Sequence, residues 1–280
     1  MFIAMAATIL TAACSSNDSD EVASQQVPLV INASIDGGNN TRTSLVSSFG
    51  RGDKIGVYMD SYRNKPFSTT DGKTFTSSGH LYMSDNSYTV RAYYPYTSDA
   101  SYFVLTSIPD YCFDILCAEG KAYIFSGAVD LKFRHLLSLL TFNISLGDGW
   151  GSSASKTVER IDVSGLLTDG MFTAPDEITE CEKGTISFGY TTLGGGITAL
   201  AIPQTADKMT LTVSYANADY SGEIEIPDGE LKANHNYVFN ATIDKSAVGL
   251  TVTLESDNDG YDIDGWISSD GGDKEASYTD

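Results

Sequence analysis

Few side chains in this sequence are of types that could do chemistry, and they are scattered. His135 stands in an apolar run beside Arg134 and is one of three histidines. General acid–base work would need a nucleophile or carboxylate brought to it, and no sequence neighbour supplies one. GxSxG, HExxH, a P-loop and GxGxxG are all missing. Gly194-Gly195-Gly196 lies between strand-like runs, where a flexible turn accounts for it better than a phosphate cradle. Paired carboxylates for glycoside hydrolysis are a three-dimensional arrangement that spacing alone does not disclose. Glu255-Ser256-Asp257-Asn258-Asp259-Gly260 sets oxygen ligands at alternate positions with Gly at the sixth, like the first half of a calcium loop. Its twelfth position, where a bidentate Glu belongs, is Trp266, although Asp262 and Asp264 offer oxygens. A solvated acidic turn explains Glu255, Asp257 and Asp259 better than a metal site. Arg51-Gly52-Asp53 spells an integrin-binding tripeptide but runs straight into an alternating segment, as a turn before a strand does. No enzyme activity and no cofactor are expected.

The formal net charge of -20 would repel phosphate backbones, which argues against nucleic-acid partners. The chain opens with MFIAMAATILTAAC, an uncharged apolar run too short to span a bilayer and of the length of a signal-peptide core. Thr11-Ala12-Ala13-Cys14 resembles a bacterial lipobox, with the usual Leu one place early at Leu10. Residues 1–13 are therefore expected to be a signal peptide, Cys14 a lipidation site, and residues 14–26 an acidic tether to the outer membrane. Cys112, Cys117 and Cys181 remain; an odd number cannot all pair within one chain, and free or buried thiols are the simplest reading.

The elements that must position any site are strands. Val27, Leu29, Ile31, Ala33 and Ile35 alternate at period two, the mark of a half-buried strand. The same alternation recurs at Ile55–Met59, Tyr88–Tyr94, Met209–Tyr215, Tyr237–Ile243 and through Val248, Leu250, Val252 and Leu254. Turn clusters such as Asp36-Gly37-Gly38-Asn39-Asn40 and Pro227-Asp228-Gly229 separate the runs. Many short strands at this spacing predict an all-β chain of β-sandwiches. A boundary near Gly127 divides it into modules over 27–127 and 128–267, followed by a polar tail, 268–280. Leu131 to Phe142 is read as one strand with a bulge.

Several segments then resemble the fimbrillin family of Bacteroidota. Thr41-Arg42-Thr43 followed by Phe49-Gly50-Arg51-Gly52-Asp53-Lys54-Ile55-Gly56-Val57-Tyr58 is similar to the family's TRT and W-x-x-GD-x-IGV elements, with Phe49 where Trp is commoner. Ala92-Tyr93-Tyr94-Pro95-Tyr96 resembles A-x-Y-P-Y, and Asp114-Ile115-Leu116-Cys117-Ala118 resembles D-[LF]-[LM]-Y-A. Leu131 to Leu140 is similar to the F-x-H-x-x-[AS]-K-L strand. Ile202-Pro203-Gln204, Asn234-His235-Asn236-Tyr237 and Ile263-Asp264-Gly265-Trp266 follow in family order.

The resemblance implies two tandem transthyretin-like, Greek-key β-sandwich domains and a surface subunit of a fimbrium. It further implies adhesion to a host or bacterial surface ligand, and assembly with other subunits by donor-strand exchange after a protease removes the first strand. On that reading Val27, Leu29, Ile31, Ala33 and Ile35 form the displaced strand, and Arg42, in a Gly/Asn-rich turn, is the candidate processing site, a solvated turn residue being the alternative. Val248, Leu250, Val252 and Leu254 are a candidate donor strand, although pairing within its own module is the simpler reading, since any half-buried strand alternates. The alternative function is a surface glycan-binding lipoprotein, with tyrosines, Trp150 and Trp266 available to stack sugars.

Overall fold

The protein is described by a computed structural model covering residues 26–36, 46–79, 81–98, 102–106, 114–245, 249–257 and 267–268. Sixteen strands longer than two residues organise it: β1 Val30–Ile35, β2 Lys54–Met59, β3 Tyr62–Thr69, β4 Thr74–Thr76, β5 Ser87–Tyr94, β6 Tyr102–Thr106, β7 Leu116–Tyr123, β8 Ala128–His135, β9 Ser138–Leu146, β10 Arg160–Thr173, β11 Glu177–Phe188, β12 Ile197–Ala201, β13 Lys208–Tyr215, β14 Ala218–Glu225, β15 His235–Asp244 and β16 Gly249–Asp257. No α-helix occurs among the described residues. The chain is all-β, as its alternation requires.

Seven strands close into a barrel in the order β8-β1-β4-β3-β2-β5-β7. Each strand turns one face inward: β8 buries Val129, Leu131, Phe133 and His135 between exposed or half-exposed neighbours. Phe67, Phe75 and Phe133 are wholly buried in this core, and Phe49 meets the rings of Phe75, Tyr94 and Phe133 edge-on at 5.2, 5.4 and 5.2 Å. Phe49 thus does inside the barrel what a larger Trp would do at that position.

The remaining strands form two sheets, β12-β9-β15-β16 and β11-β10-β13-β14, with a shared core from Leu140, Phe142, Val163, Leu211, Val213, Phe239 and Ile243 among others. The long strand β10 pairs with β11 along one edge and serves two neighbours along the other. Arg160–Ser164 pair with β13, while Asp169–Thr173 pair with β6, which leaves the barrel between β5 and β7 to join this sheet. A third apolar cluster joins the two parts, with Tyr93 and Ile115 from one side and Leu137, Leu139, Phe172 and Leu200 from the other.

Two details differ from the sequence reading. Leu131 to Phe142 is not one bulged strand: β8 ends at His135, β9 begins at Ser138, and the two belong to different sheets. The break is made by backbone bonds that draw the connecting residues apart, Leu136 N donating to Ile115 O and Asn234 N to Leu137 O. Consequently Ala128–His135, which a boundary at Gly127 assigns to the second module, hydrogen-bonds to β1 and β7 of the barrel. Period-two patterning marks the strand but does not name its neighbour.

Gly56 on β2 faces Tyr93 on β5 in register. A Cβ there would lie 2.1 Å from Tyr93 Cε1 and 2.7 Å from Asn64 Oδ1. The ring has little freedom to yield, since its hydroxyl donates to Asn64 Oδ1 at 2.9 Å and Phe172 packs at 5.7 Å between centroids. Gly56→Ala is expected to cost about 1–3 kcal/mol through overpacking, read as a lowered denaturation midpoint at unchanged slope.

Candidate functional site: the strand that closes the barrel

The segment from Val27 to Ile35 seals the barrel. Leu29, Ile31, Ala33 and Ile35 are 3, 0, 8 and 9% exposed, while Asn32 and Ser34 between them face out. Val27 is half-buried, pairs with Met83, and approaches Gly127, which sits at φ +65 with Val27 Cγ1 3.0 Å from where a Cβ would be. From Val30 onward, its bonds to its two neighbours are unequal. Against β8 it runs parallel and in register for six residues, from Val30 opposite Ala128 to Ile35 opposite Phe133. Val30 N donates to Gly127 O and Asp36 N to Phe133 O at the two ends, and an Asn32–Asp130 side-chain bond and a Lys132–Asp36 ion pair flank the ladder. Against β4 only Ile31–Phe75 and Asn32–Thr74 are paired, with Ala33 N reaching Lys73 O just beyond.

The β4 side is positioned by Asp71. Its carboxylate accepts from Thr74 N at 2.7 Å, Lys73 N at 2.8 Å and the Thr69 hydroxyl at 2.9 Å. These bonds, led by the two backbone amides, favour the ionised form and lower its pKa to about 2.

The sequence reading missed a second feature. Asp114, 21 residues before His135, brings both carboxylate oxygens to His135 Nδ1 at 2.9 and 2.8 Å. The side chains are 2% and 1% exposed. Asp114 Oδ2 also accepts from Val46 N at 3.1 Å, and Asn234 Oδ1 accepts from His135 N at 3.1 Å. One buried pair therefore fixes the start of β2's approach, the end of β8 and a loop before β15. A histidine on a carboxylate is an acid–base arrangement, but burial this complete denies a substrate access, so it serves as a polar anchor.

The other sequence-derived residues fare variously. Cys14, Arg42, Cys112, Val248, Asp259 and Trp266 lie outside the described residues. Leu250 and Val252 stand on β16, which pairs antiparallel with β15 inside its own sheet; Leu250 is buried and Leu254 is 42% exposed. The Glu255 carboxylate accepts from Asn143 Nδ2 at 3.2 Å, Asp257 is described by its backbone alone, and no cluster of three or more metal-ligating side chains occurs among the described residues. Arg51-Gly52-Asp53 forms a tight turn before β2, with Gly52 at φ +94 and Gly50 N donating to Asp53 Oδ2 at 2.7 Å. Cys117 and Cys181 are free; the Cys117 thiol donates to Pro175 O, and burial pushes its pKa well above the ordinary thiol range. Trp150 is no open platform: Nε1 donates to Ile243 O, Tyr215 meets the ring edge-on, and Lys245 Nζ lies 5.1 Å over it.

The chain is thus an all-β body whose first strand locks a barrel, joined through a shared apolar cluster to a second pair of sheets. The fimbrillin-like family model matches residues 41–256, and the chain belongs to that family. Its fold is similar to that of a candidate cell adhesion protein from Bacteroides uniformis ATCC 8492, with TM-score 0.60 at 19% identity, covering 86% of this chain and 98% of that one. A candidate cell adhesion protein from Bacteroides ovatus ATCC 8483 gives TM-score 0.62 at 18% identity, covering 88% and 100%. No curated protein matches the sequence.

Proposed function

We propose that this chain is a cell-surface fimbrial subunit that mediates adhesion and joins its neighbours by strand replacement. On this reading, cleavage after Arg42 frees the segment ending at Ile35, and an extended segment of another subunit takes the vacated place. The observation that carries the proposal is the closing strand itself, buried at Leu29, Ile31, Ala33 and Ile35, paired with β8 over six residues but with the β4 side only at Ile31–Ala33. Its loss would leave an apolar slot edged by unpaired amide and carbonyl groups, which an alternating strand satisfies in both respects. Of the candidate donor run, Leu250 to Leu254 lie on β16, the end strand of its sheet path, which among the described residues pairs with β15 alone, so the run must leave β15 before donation. Lipidation at Cys14 would tether the unprocessed subunit to the outer membrane. The junction of the two modules is assigned to Leu136–Leu137, where the chain passes from barrel to second sheet pair.

The test is exposure of purified chain and of Arg42→Gln to an arginine-specific protease, with products run unboiled in SDS. Ladders of SDS-resistant oligomers are expected from the parent and none from the variant. Trimmed parent protein that stays monomeric removes polymerisation from the proposal and leaves a cap, anchor or tip role.

A further inference from the structure

A cleft of about 530 Å3 opens where the barrel's outer face meets the β10–β11 hairpin. That volume is within the small-ligand range of roughly 300–1,000 Å3. Tyr58 and Asp60 line it from the end of β2, Arg63 from β3, Thr89 and Arg91 from β5, and Pro175 from the hairpin tip. The wall behind is rigid, with Tyr58 and Tyr93 ring centroids 6.4 Å apart and Phe172 a further 5.7 Å beyond. Asn64, beside Arg63, accepts from the Tyr93 hydroxyl and donates to Thr97 O at 3.1 Å.

The two arginines differ in what holds them. Arg91 Nε donates to Glu119 Oε2 at 2.6 Å, and its Nη1 lies 3.8 Å from Asp176 Oδ1. Arg63 donates through Nη1 to the carbonyls of Asp60 and Tyr62. These bonds orient the guanidinium without neutralising it, and no carboxylate lies within ion-pair distance of it among the described residues. In a chain of net charge -20, Arg63 thus brings to the cleft a guanidinium that no carboxylate pairs, whereas the charge of Arg91 is met by Glu119 and Asp176.

We infer that this cleft binds a single acidic sugar residue, one carrying a carboxylate among hydroxyls. Arg63 presents the planar fork that a carboxylate accepts from, and Arg91 adds the N–H groups not spent on Glu119. Asp60 can accept from ligand hydroxyls, while Thr89 offers both donor and acceptor. The Tyr58 and Pro175 rings suit the apolar face of a pyranose. The surrounding negative field works against polyanions, so the ligand is one acidic unit and not an acidic polymer. This inference is independent of strand replacement, because the cleft is complete in one uncleaved chain.

The test uses the full chain, uncleaved, with N-acetylneuraminic acid and glucuronic acid as probes. N-acetylglucosamine, glucose and acetate serve as comparators, followed by saturation-transfer NMR and calorimetry. Saturable binding of at least one acidic sugar in the millimolar range is expected, with the neutral sugars and acetate each about tenfold weaker. Arg63→Gln should weaken that sugar about tenfold with an unchanged circular dichroism spectrum, and Thr89→Val should weaken it several-fold. Absence of saturable binding, equal affinity for neutral sugars, equal affinity for acetate, or an Arg63→Gln variant that binds like the parent each overturns the inference.

Discussion

Ile31→Asp is expected to unseal the barrel and to cost roughly 4 kcal/mol or more of stability, since it places an unpaired carboxylate in a wholly apolar interior. Ile31 is the sharpest point at which to ask the question. It is 0% exposed, and it lies in register with both neighbours of β1, opposite Val129 on one side and Phe75 on the other. Leu29, Ile31 and Ile35 together contribute roughly 5–9 kcal/mol of burial at about 1.5–3 kcal/mol for each large side chain. A whole domain is stable by only about 5–15 kcal/mol, so a barrel deprived of this strand cannot stay closed unless something replaces it. Ile31→Val, by contrast, should cost about 0.5–1.5 kcal/mol. The measurements are denaturant unfolding and amide exchange at Val129 to Phe133. A synthetic peptide of residues 26–36 added to the Ile31→Asp protein should restore slow exchange in β8, because the parent strand outcompetes the damaged one for the same seat. If Ile31→Asp stays within about 1 kcal/mol of the parent, the strand does not seal the barrel. If the variant is destabilised but the peptide restores nothing, the slot does not accept a strand in trans, and strand replacement loses its physical basis.

Asp114→Ala should be nearly as damaging, at about 3 kcal/mol, although it removes only three heavy atoms. The loss leaves His135 Nδ1 and Val46 N without the acceptor they share, and each buried orphan costs about 1–3 kcal/mol. Asp114→Asn keeps one acceptor oxygen and should lose about half as much. Replacing both members, Asp114→Leu with His135→Leu, should recover much of the loss, because apolar side chains in place of a buried pair leave nothing unsatisfied there. The double-mutant cycle, read by thermal and urea unfolding, isolates the coupling. A loss under about 1 kcal/mol in Asp114→Ala would mean that water or another group reaches the site, and the anchor role would fall.

The match between pattern and fold is closest where a single strand decides the matter. The five apolar residues from Val27 to Ile35 alternate, and the four from Leu29 onward are inside while Asn32 and Ser34 are outside. Phe49, standing where the family prefers Trp, is buried among three aromatic rings, so the substitution preserves the task. The pattern failed at Leu131 to Phe142, where an unbroken apolar stretch hides a change of sheet. His135 was legible as a histidine in a strand, but its partner was not, since Asp114 lies in a different segment and was noted only for its place in a family motif. The Arg63–Arg91 cleft left no signal at all: its arginines are 28 residues apart, and the hairpin that walls it, at Pro175, follows much later.

From its residues alone this chain declares an all-β body, a leading strand with one apolar face, and membership in a family whose motifs it carries in order. Those properties are local, because period-two alternation and turn chemistry act over a few residues and survive whatever the strand pairs with. Tertiary structure alone decided that β1 lies parallel to β8, that β6 crosses to β10, and that Asp114 meets His135 where both are buried. Strand neighbours and buried polar partners are chosen by contacts between distant segments, where complementary surface, hydrogen-bond satisfaction and exclusion of water are settled together and no short stretch of sequence records the outcome.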